Sequence, residues 1–274
     1  MIRSSRLLVI LALAGIIAAP LATIHPLAGH LRDAGAAGLP HELRDVALIV
    51  LFLFVGGSLV PLAGVARVAV TWVRQANVLS GLRAASEPRT TGDGLAHYLF
   101  QAQGVHFFTA GFFRPRIYAS TAAFEQLSTG AFRAAILHER EHQQRHHVRW
   151  RLALAALETA FRPFPPVRRA VGALALDCEF AADRAALDAG AEPRHLFDAV
   201  VAASRSLQPA SSIGLSGTGT LERLEALATS ERQPSGGGGT LFWLVAGLAG
   251  FPLLAHLLFW AGAVCLSAAG AVGG

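Results

Sequence analysis

The sequence predicts a mainly helical membrane protein, with about three transmembrane helices around a mostly helical central domain that carries one small β-hairpin. Three observations predict it. Hydrophobic residues fill 53% of the 274 positions and charged residues only 15%, whereas soluble domains are nearer a quarter charged. The apolar excess is gathered into three long runs. Between the second and third of these lie about 170 residues in which charge, proline and glycine return, room for one core of ordinary size.

The first run, Leu7–Ile24, is preceded by Arg3 and Arg6. Val46–Ala66 has no charge, and Leu241–Ala269 contains one ionisable residue, His256. At about 1.5 Å of rise per residue, each is long enough to cross a hydrocarbon core as a helix. Leu7–Ile24 also fits a cleaved signal peptide, with its basic start and small residues from Ala18 to Ala22, but its length exceeds the usual apolar stretch of such signals. Arginine placement sets the orientation. Arg67, Arg74 and Arg83 follow the second run before the first acid, Glu87, while the segment between the first two runs mixes Arg32 and Arg44 with Asp33, Glu42 and Asp45. The basic amino terminus and the domain after residue 66 are therefore expected to face the cytoplasm, with a short tail outside.

The net charge of +5 rests on arginine alone. No basic stretch is interleaved with aromatics as nucleic-acid platforms are, so the expected partner is the lipid bilayer and not nucleic acid. Two cysteines, Cys178 and Cys265, make no disulfide framework.

Residues 1–66 thus hold two spans and a short outer loop, 67–233 the main domain, 234–240 a glycine-rich linker and 241–269 the last span. Within the domain, VHFFTAGFFRPRIYAS (105–120) reads as two short strands around Gly111, with Pro115 marking the second as an edge strand. Ser120 or Thr121 caps a helix through Leu127, and Ser128 and Thr129 precede a long helix from Ala131. Residues 149–160 form another apolar helix, too short to span and ended by PFPP. Val167–Gly190 is helical with Gly190 as its stop, and Pro193 opens the next helix. Residues 207–220, rich in Ser, Gly and Thr, form a loop before a short helix over Leu221–Thr229.

The stretch AAILHEREHQQRHH (134–147) concentrates four histidines and two glutamates in a charge-poor chain. Within it, His138, Glu139 and His142 fit the pattern H-E-x-x-H. On a helix, positions i and i+4 share a face, so both imidazoles reach one metal while the glutamate stays close by. Two neutral imidazoles hold Zn²⁺, the ion lowers the pKa of a bound water toward about 7, and a neighbouring carboxylate takes its proton. A catalytic zinc site wants a third protein ligand. QQRHHV lacks the glycine and third histidine that metzincins place after this motif. CEFAADRAAL offers Glu179 as that ligand from another helix, with Asp183 one turn on to accept the free N–H of a ligand histidine. Two histidines and one glutamate make the gluzincin set.

The order FFRPRIYAS, LSTGAFRAAILHEREHQQRHH, CEFAADRAA between apolar spans resembles the integral-membrane zinc peptidases. The antibiotic-sensor peptidases of the BlaR/MecR type and their sensorless relatives are most similar, and HtpX-like and CAAX-protease enzymes more distant. The resemblance covers roughly residues 65–230. It implies a gluzincin-like catalytic domain with one Zn²⁺ per chain, His138, His142 and Glu179 as ligands, Glu139 as general base and Asp183 behind the ligands. It also implies a protein or peptide substrate paired with an edge strand at Arg116, Ile117, Tyr118 and Ala119, and a bacterial inner or cytoplasmic membrane. Residues after the third run are few, so β-lactam sensing is not expected. SSIGLSGTGT lacks the histidine that HtpX-like enzymes carry before their last cytosolic helix, leaving His195, Tyr118 and Arg223 as candidates to stabilise an oxyanion or contact substrate.

Plainer readings stand beside these. His146, one turn beyond His142, reads as a surface residue rather than a surplus ligand, as does His147; His256 reads as a group on a proton path or a neutral histidine bonded to a neighbouring helix, and Cys178 as a small buried hydrophobe. The H-E-x-x-H face itself could be only a solvated polar stripe, but the apolar AFRAAIL before it argues for burial. The functional expectation is a membrane-embedded zinc metalloendopeptidase in regulation or membrane-protein quality control. Its rival is a catalytically silent scaffold that keeps zinc for folding, to which Glu139 would be of no use.

Overall fold

The computed structural model describes residues 63–64, 66–74, 76–160, 165–206 and 220–229. Leu7–Ile24, Leu241–Ala269, the linker, His256 and nearly all of Val46–Ala66 lie outside these residues. Among the described residues, no helix is long and apolar enough to cross a membrane. The chain divides into two compact units, one of Met1–Val68, Ala156–Arg168 and Gly238–Gly274, the other of Ala69–Ala155 and Arg169–Gly237. In the first unit only a few helical residues are described. The second contains the sheet and the residues of the candidate site.

Helical residues 66–74 and 76–84 lead into four strands, β1 (Glu87–Thr90), β2 (Ala96–Phe100), β3 (Phe107–Ala110) and β4 (Arg116–Ser120). Six helices follow: α1 (Thr121–Gln126), α2 (Thr129–Gln144), α3 (His147–Ala160), α4 (Pro165–Asp188), α5 (Pro193–Ser206) and α6 (Thr220–Thr229). The described chain is mostly helical with a small sheet. The strand order is β1-β2-β4-β3, antiparallel except for the β2–β4 pair.

That order corrects one expectation. The edge strand expected at Arg116, Ile117, Tyr118 and Ala119 is an inner strand, flanked by β2 through Tyr118 and Ala119 and by β3 along its whole length. The hairpin around Gly111 forms as read, but β2 occupies the side that Pro115 suggested was open. Ile117, Tyr118 and Ala119 are each at most 2% exposed, as an inner strand covered on both faces requires. The outer strands among the described residues are β1 and β3.

Gly111 turns the hairpin at φ +111, where a Cβ would meet the Arg114 carbonyl oxygen at 2.6 Å, so only glycine fits. The turn is braced from the helices. Gln143 donates to the Pro115 carbonyl at 2.8 Å, and Arg149 donates to the Phe112 carbonyl at 2.8 Å.

Both helix starts read from the sequence carry side-chain caps. Ser120 Oγ accepts from the Ala123 amide and Ser128 Oγ from the Ala131 amide, each satisfying a donor that the first helical turn leaves open. From Ala131 to Glu139 all residues of α2 but Arg133 are buried, so this stretch is a central helix and not a surface one. Its Phe132 meets the rings of His97, Phe107 and Phe124 edge to face at 5.4 to 5.5 Å, the geometry aromatic quadrupoles favour. Ile117, Ala119, Ile136, Leu137, Ala186 and Leu196 complete the core between sheet and helices. This core fixes the rotation of α2 and hence what its last two turns present.

Candidate metal centre

His138 and His142, one turn apart on α2, point the same way, with ring centroids 4.7 Å apart and Nε2 atoms 3.0 Å apart. α4 brings Glu179 against them, its carboxylate oxygens 3.4 Å from His138 Nε2 and 3.5 Å from His142 Nε2. One ligand atom from each of these three residues lies within 4.8 Å of the others. The other ring nitrogen of His138, Nδ1, is 2.8 Å from Asp183 Oδ1, one turn further along α4. A carboxylate there holds the proton on Nδ1 and leaves Nε2 bare for a ligand. Two imidazole nitrogens, one of them on a carboxylate-backed histidine, and one carboxylate are the donor set that zinc takes in catalytic sites, so the residues fit the ion.

Charge in the cluster is closely paired. Arg223, from α6, donates to Asp183 at 2.6 and 2.8 Å and to Glu179 at 2.9 Å. Arg151, from α3, also bonds Glu179. Burial raises the pKa of Glu179, but hydrogen bonds from His138 and His142 and the Arg151 charge outweigh it and hold the carboxyl well below its ordinary range. Asp183 is likewise lowered, with burial opposed by His138 and Arg223. For His138, burial and the Arg223 charge act downward, yet Asp183 and Glu179 prevail and raise it to about 9.

Glu139, 7% exposed, is turned toward the sheet. The Thr109 hydroxyl of β3 lies 2.8 Å from its Oε2 and 2.9 Å from its backbone carbonyl oxygen. A cavity of about 490 Å³ opens here, walled by His138, Glu139, His142, Arg151, Glu179 and Arg223, and runs on between β3 and the apolar side of α5.

Of the sequence-derived candidates, the structure brings together His138, Glu139, His142, Glu179, Asp183 and Arg223. It does not bring His195 or Tyr118 to the cavity. The His195 ring lies over Gly130 at the start of α2, where a Cβ would approach it to 2.3 Å. Tyr118 stacks on Phe108 at 5.4 Å, and burial raises its phenol pKa.

Three residues went unrecognised in the sequence. Thr109 and Arg151 are two, and nothing in their local sequence marks them. The third, His147, reads as a surface residue and is 1% exposed, its Nδ1 2.7 Å from His142 Nδ1. The chain reaches it through His146 in a left-handed conformation, φ 54, which separates the end of α2 from the start of α3. Two ring nitrogens this close share one proton, so His147 accepts from His142 when Nε2 of His142 is bare.

A family model described as BlaR1 peptidase M56 matches residues 30–198. No curated protein and no solved structure matches the chain. The matched span takes in β1 to β4, both candidate ligand helices and more than half of the sequence, and on it the chain belongs to the BlaR1 peptidase M56 family.

Proposed function

We propose that the protein is a membrane-embedded zinc metalloendopeptidase that hydrolyses peptide bonds in proteins at the cytoplasmic face of its membrane. Membership of a peptidase family supports the reaction class. The observation that carries the reading is the convergence of His138, His142 and Glu179, with Glu139 next to the first of them and facing the same cavity. The three apolar runs and the arginines after the second support the membrane and its orientation.

His138, His142 and Glu179 hold one Zn²⁺, which supplies a Lewis acid and an activated water in a site of this kind. Asp183 and His147 fix the protons on the outer nitrogens of the two histidines. Glu139 takes a proton from the attacking water and passes it to the leaving amine. The substrate backbone pairs along β3, the outer strand beside Thr109 and Glu139, and not along β4, whose edges are taken. Leu196, Ala199 and Ala203 of α5 offer an apolar wall to a substrate side chain. The role is regulatory or one of membrane-protein quality control.

The test is zinc content and cleavage of an unfolded protein by the detergent-purified chain and its Glu139→Gln variant. About one zinc in both, with cleavage lost only in the variant, is expected. Zinc in both with no cleavage by either favours a silent, zinc-stabilised scaffold. Absence of zinc from both overturns the reading.

A further inference from the structure

We propose that the β3–β4 hairpin tip and the helical residues ahead of the sheet form a bilayer-docking surface, seating residues 111–115 in the headgroup layer of the membrane that anchors the chain. This rests on the membrane-embedded reading above. Phe113, at the tip, is 73% exposed, and Val70 and Val73 are each 53% exposed. Single exposed apolar residues are ordinary, but Phe113 belongs to a row of ring contacts, and Val70 and Val73 flank in sequence the residue at its other end. Trp72 meets Phe112 edge to face at 5.3 Å, and Phe112 meets Phe113 in the same way at 5.0 Å. Phe113 is the outer end of this aromatic row. The turn that presents it is held in place by Arg149, which donates to the Phe112 carbonyl and lies 5.4 Å over its ring, and by Gln143 on Pro115.

The sequence around the row says what covers it. Val70 stands four residues beyond the uncharged run Val46–Ala66. At 1.5 Å per helical residue that is roughly 6 Å of helix, about the depth of one interfacial layer. Trp is the aromatic enriched in that layer, and arginines there pair with anionic headgroups. Arg74 and Arg114 are exposed beside the row. No carboxylate occurs from residue 46 to 86 or from residue 94 to 124, so neither segment carries an acid to repel a negative surface. Thr109 lies four residues from Phe113, at most about 13 Å of extended strand. Docking therefore holds the outer edge of β3, and Glu139 beside it, close to the bilayer. The substrates this favours are membrane-anchored proteins, cut in the segment just outside the membrane.

The test uses nitroxide labels at Phe113→Cys and, for comparison, Phe124→Cys, which is 61% exposed on the helix at the opposite end of β4. The full chain, with Cys265→Ser and the buried Cys178 kept, is reconstituted into vesicles of phosphatidylcholine and phosphatidylglycerol. The ratio of relaxation by oxygen to relaxation by a water-soluble nickel chelate is expected to be several-fold higher for the label at 113 than for the label at 124. A label at 113 that behaves like the one at 124 overturns the docking surface and leaves the membrane reading standing. A chain that does not float with the vesicles overturns that reading itself. As a second arm, Phe113→Asp is expected to slow cleavage of a casein segment fused to a membrane anchor several-fold more than cleavage of the same segment free in solution. Equal effects on both overturn the link between docking and substrate.

Discussion

The Thr109 hydroxyl meets both the carboxylate and the backbone carbonyl of Glu139, and so holds the rotamer of the side chain proposed as general base. Thr109→Val keeps the shape of the side chain and removes the hydroxyl. It is expected to lower kcat by about tenfold, the worth of one hydrogen bond to a charged group, with zinc content unchanged. Loss of zinc in that variant would instead make Thr109 a support of the ligand helix. For His147, Ala is expected to weaken zinc binding by about 10- to 100-fold, the usual cost of removing a group that orients a metal-bound imidazole, read by competition with a chromogenic chelator. Unchanged affinity would leave the 2.7 Å contact a matter of packing alone. His138, Glu139 and His142 were legible in the sequence because a helix repeats every 3.6 residues. Glu179 and Asp183 were legible because their spacing repeats that geometry in an apolar helix. Thr109, Arg151 and His147 were not, since each is brought in by tertiary placement, through the register of β3 or through the left-handed turn at His146.

Among the described residues from 105 onward, the elements themselves followed local chemistry closely. The caps at Ser120 and Ser128, the stop near Gly190 (φ 87) and the start at Pro193 all hold. Strands β1 and β2 were missed. EPRT is wholly exposed and carries proline and two charges, a composition that does not signal a strand. Its pairing with β2 is sustained by the tight turn over residues 91–94, where the Thr91 side chain bonds Asp93 and accepts from the Leu95 amide. Missing β2 is also why β4 was read as an edge, since a parallel partner leaves no mark on the strand it joins. The hairpin turn offers a test of the architecture. Gly111→Ala is expected to destabilise the domain by about 2 kcal/mol or more, from left-handed strain plus the clash with the Arg114 carbonyl, seen as a lower thermal midpoint. A midpoint equal to wild type would mean that the turn relaxes without the brace from Gln143 and Arg149.

At the scale of the whole molecule, the shifted groups set how stability depends on pH. His138 is raised from 6.5 to about 9, so its contribution is fully present below pH 6.5 and is lost as the pH rises through 9. Glu179 and Asp183 are lowered from 4.5 and 3.8, so theirs is present above those values and is lost on acidification. Chelator-treated protein is therefore expected to have its highest thermal midpoint between about pH 5 and 6.5, falling on either side. With zinc supplied the alkaline fall is expected to disappear, because the ion takes the nitrogen that the proton leaves. A chelated protein whose midpoint holds steady to pH 10 would show that His138 does not carry that proton.

The arginines on Glu179 and Asp183 have a further consequence. Glu179 is paired with Arg151 and Arg223, and Asp183 with Arg223 and His138, so both carboxylates already have cationic partners. A divalent cation joining them comes as a replacement. Positive charges have to withdraw in a place where unbalanced charge is costly. The proton on His138 is one, and Arg151, with 41% of its side chain exposed, is the guanidinium with water to move into. Loading then resembles ion exchange on a resin, with its rate set by how readily the incumbents leave.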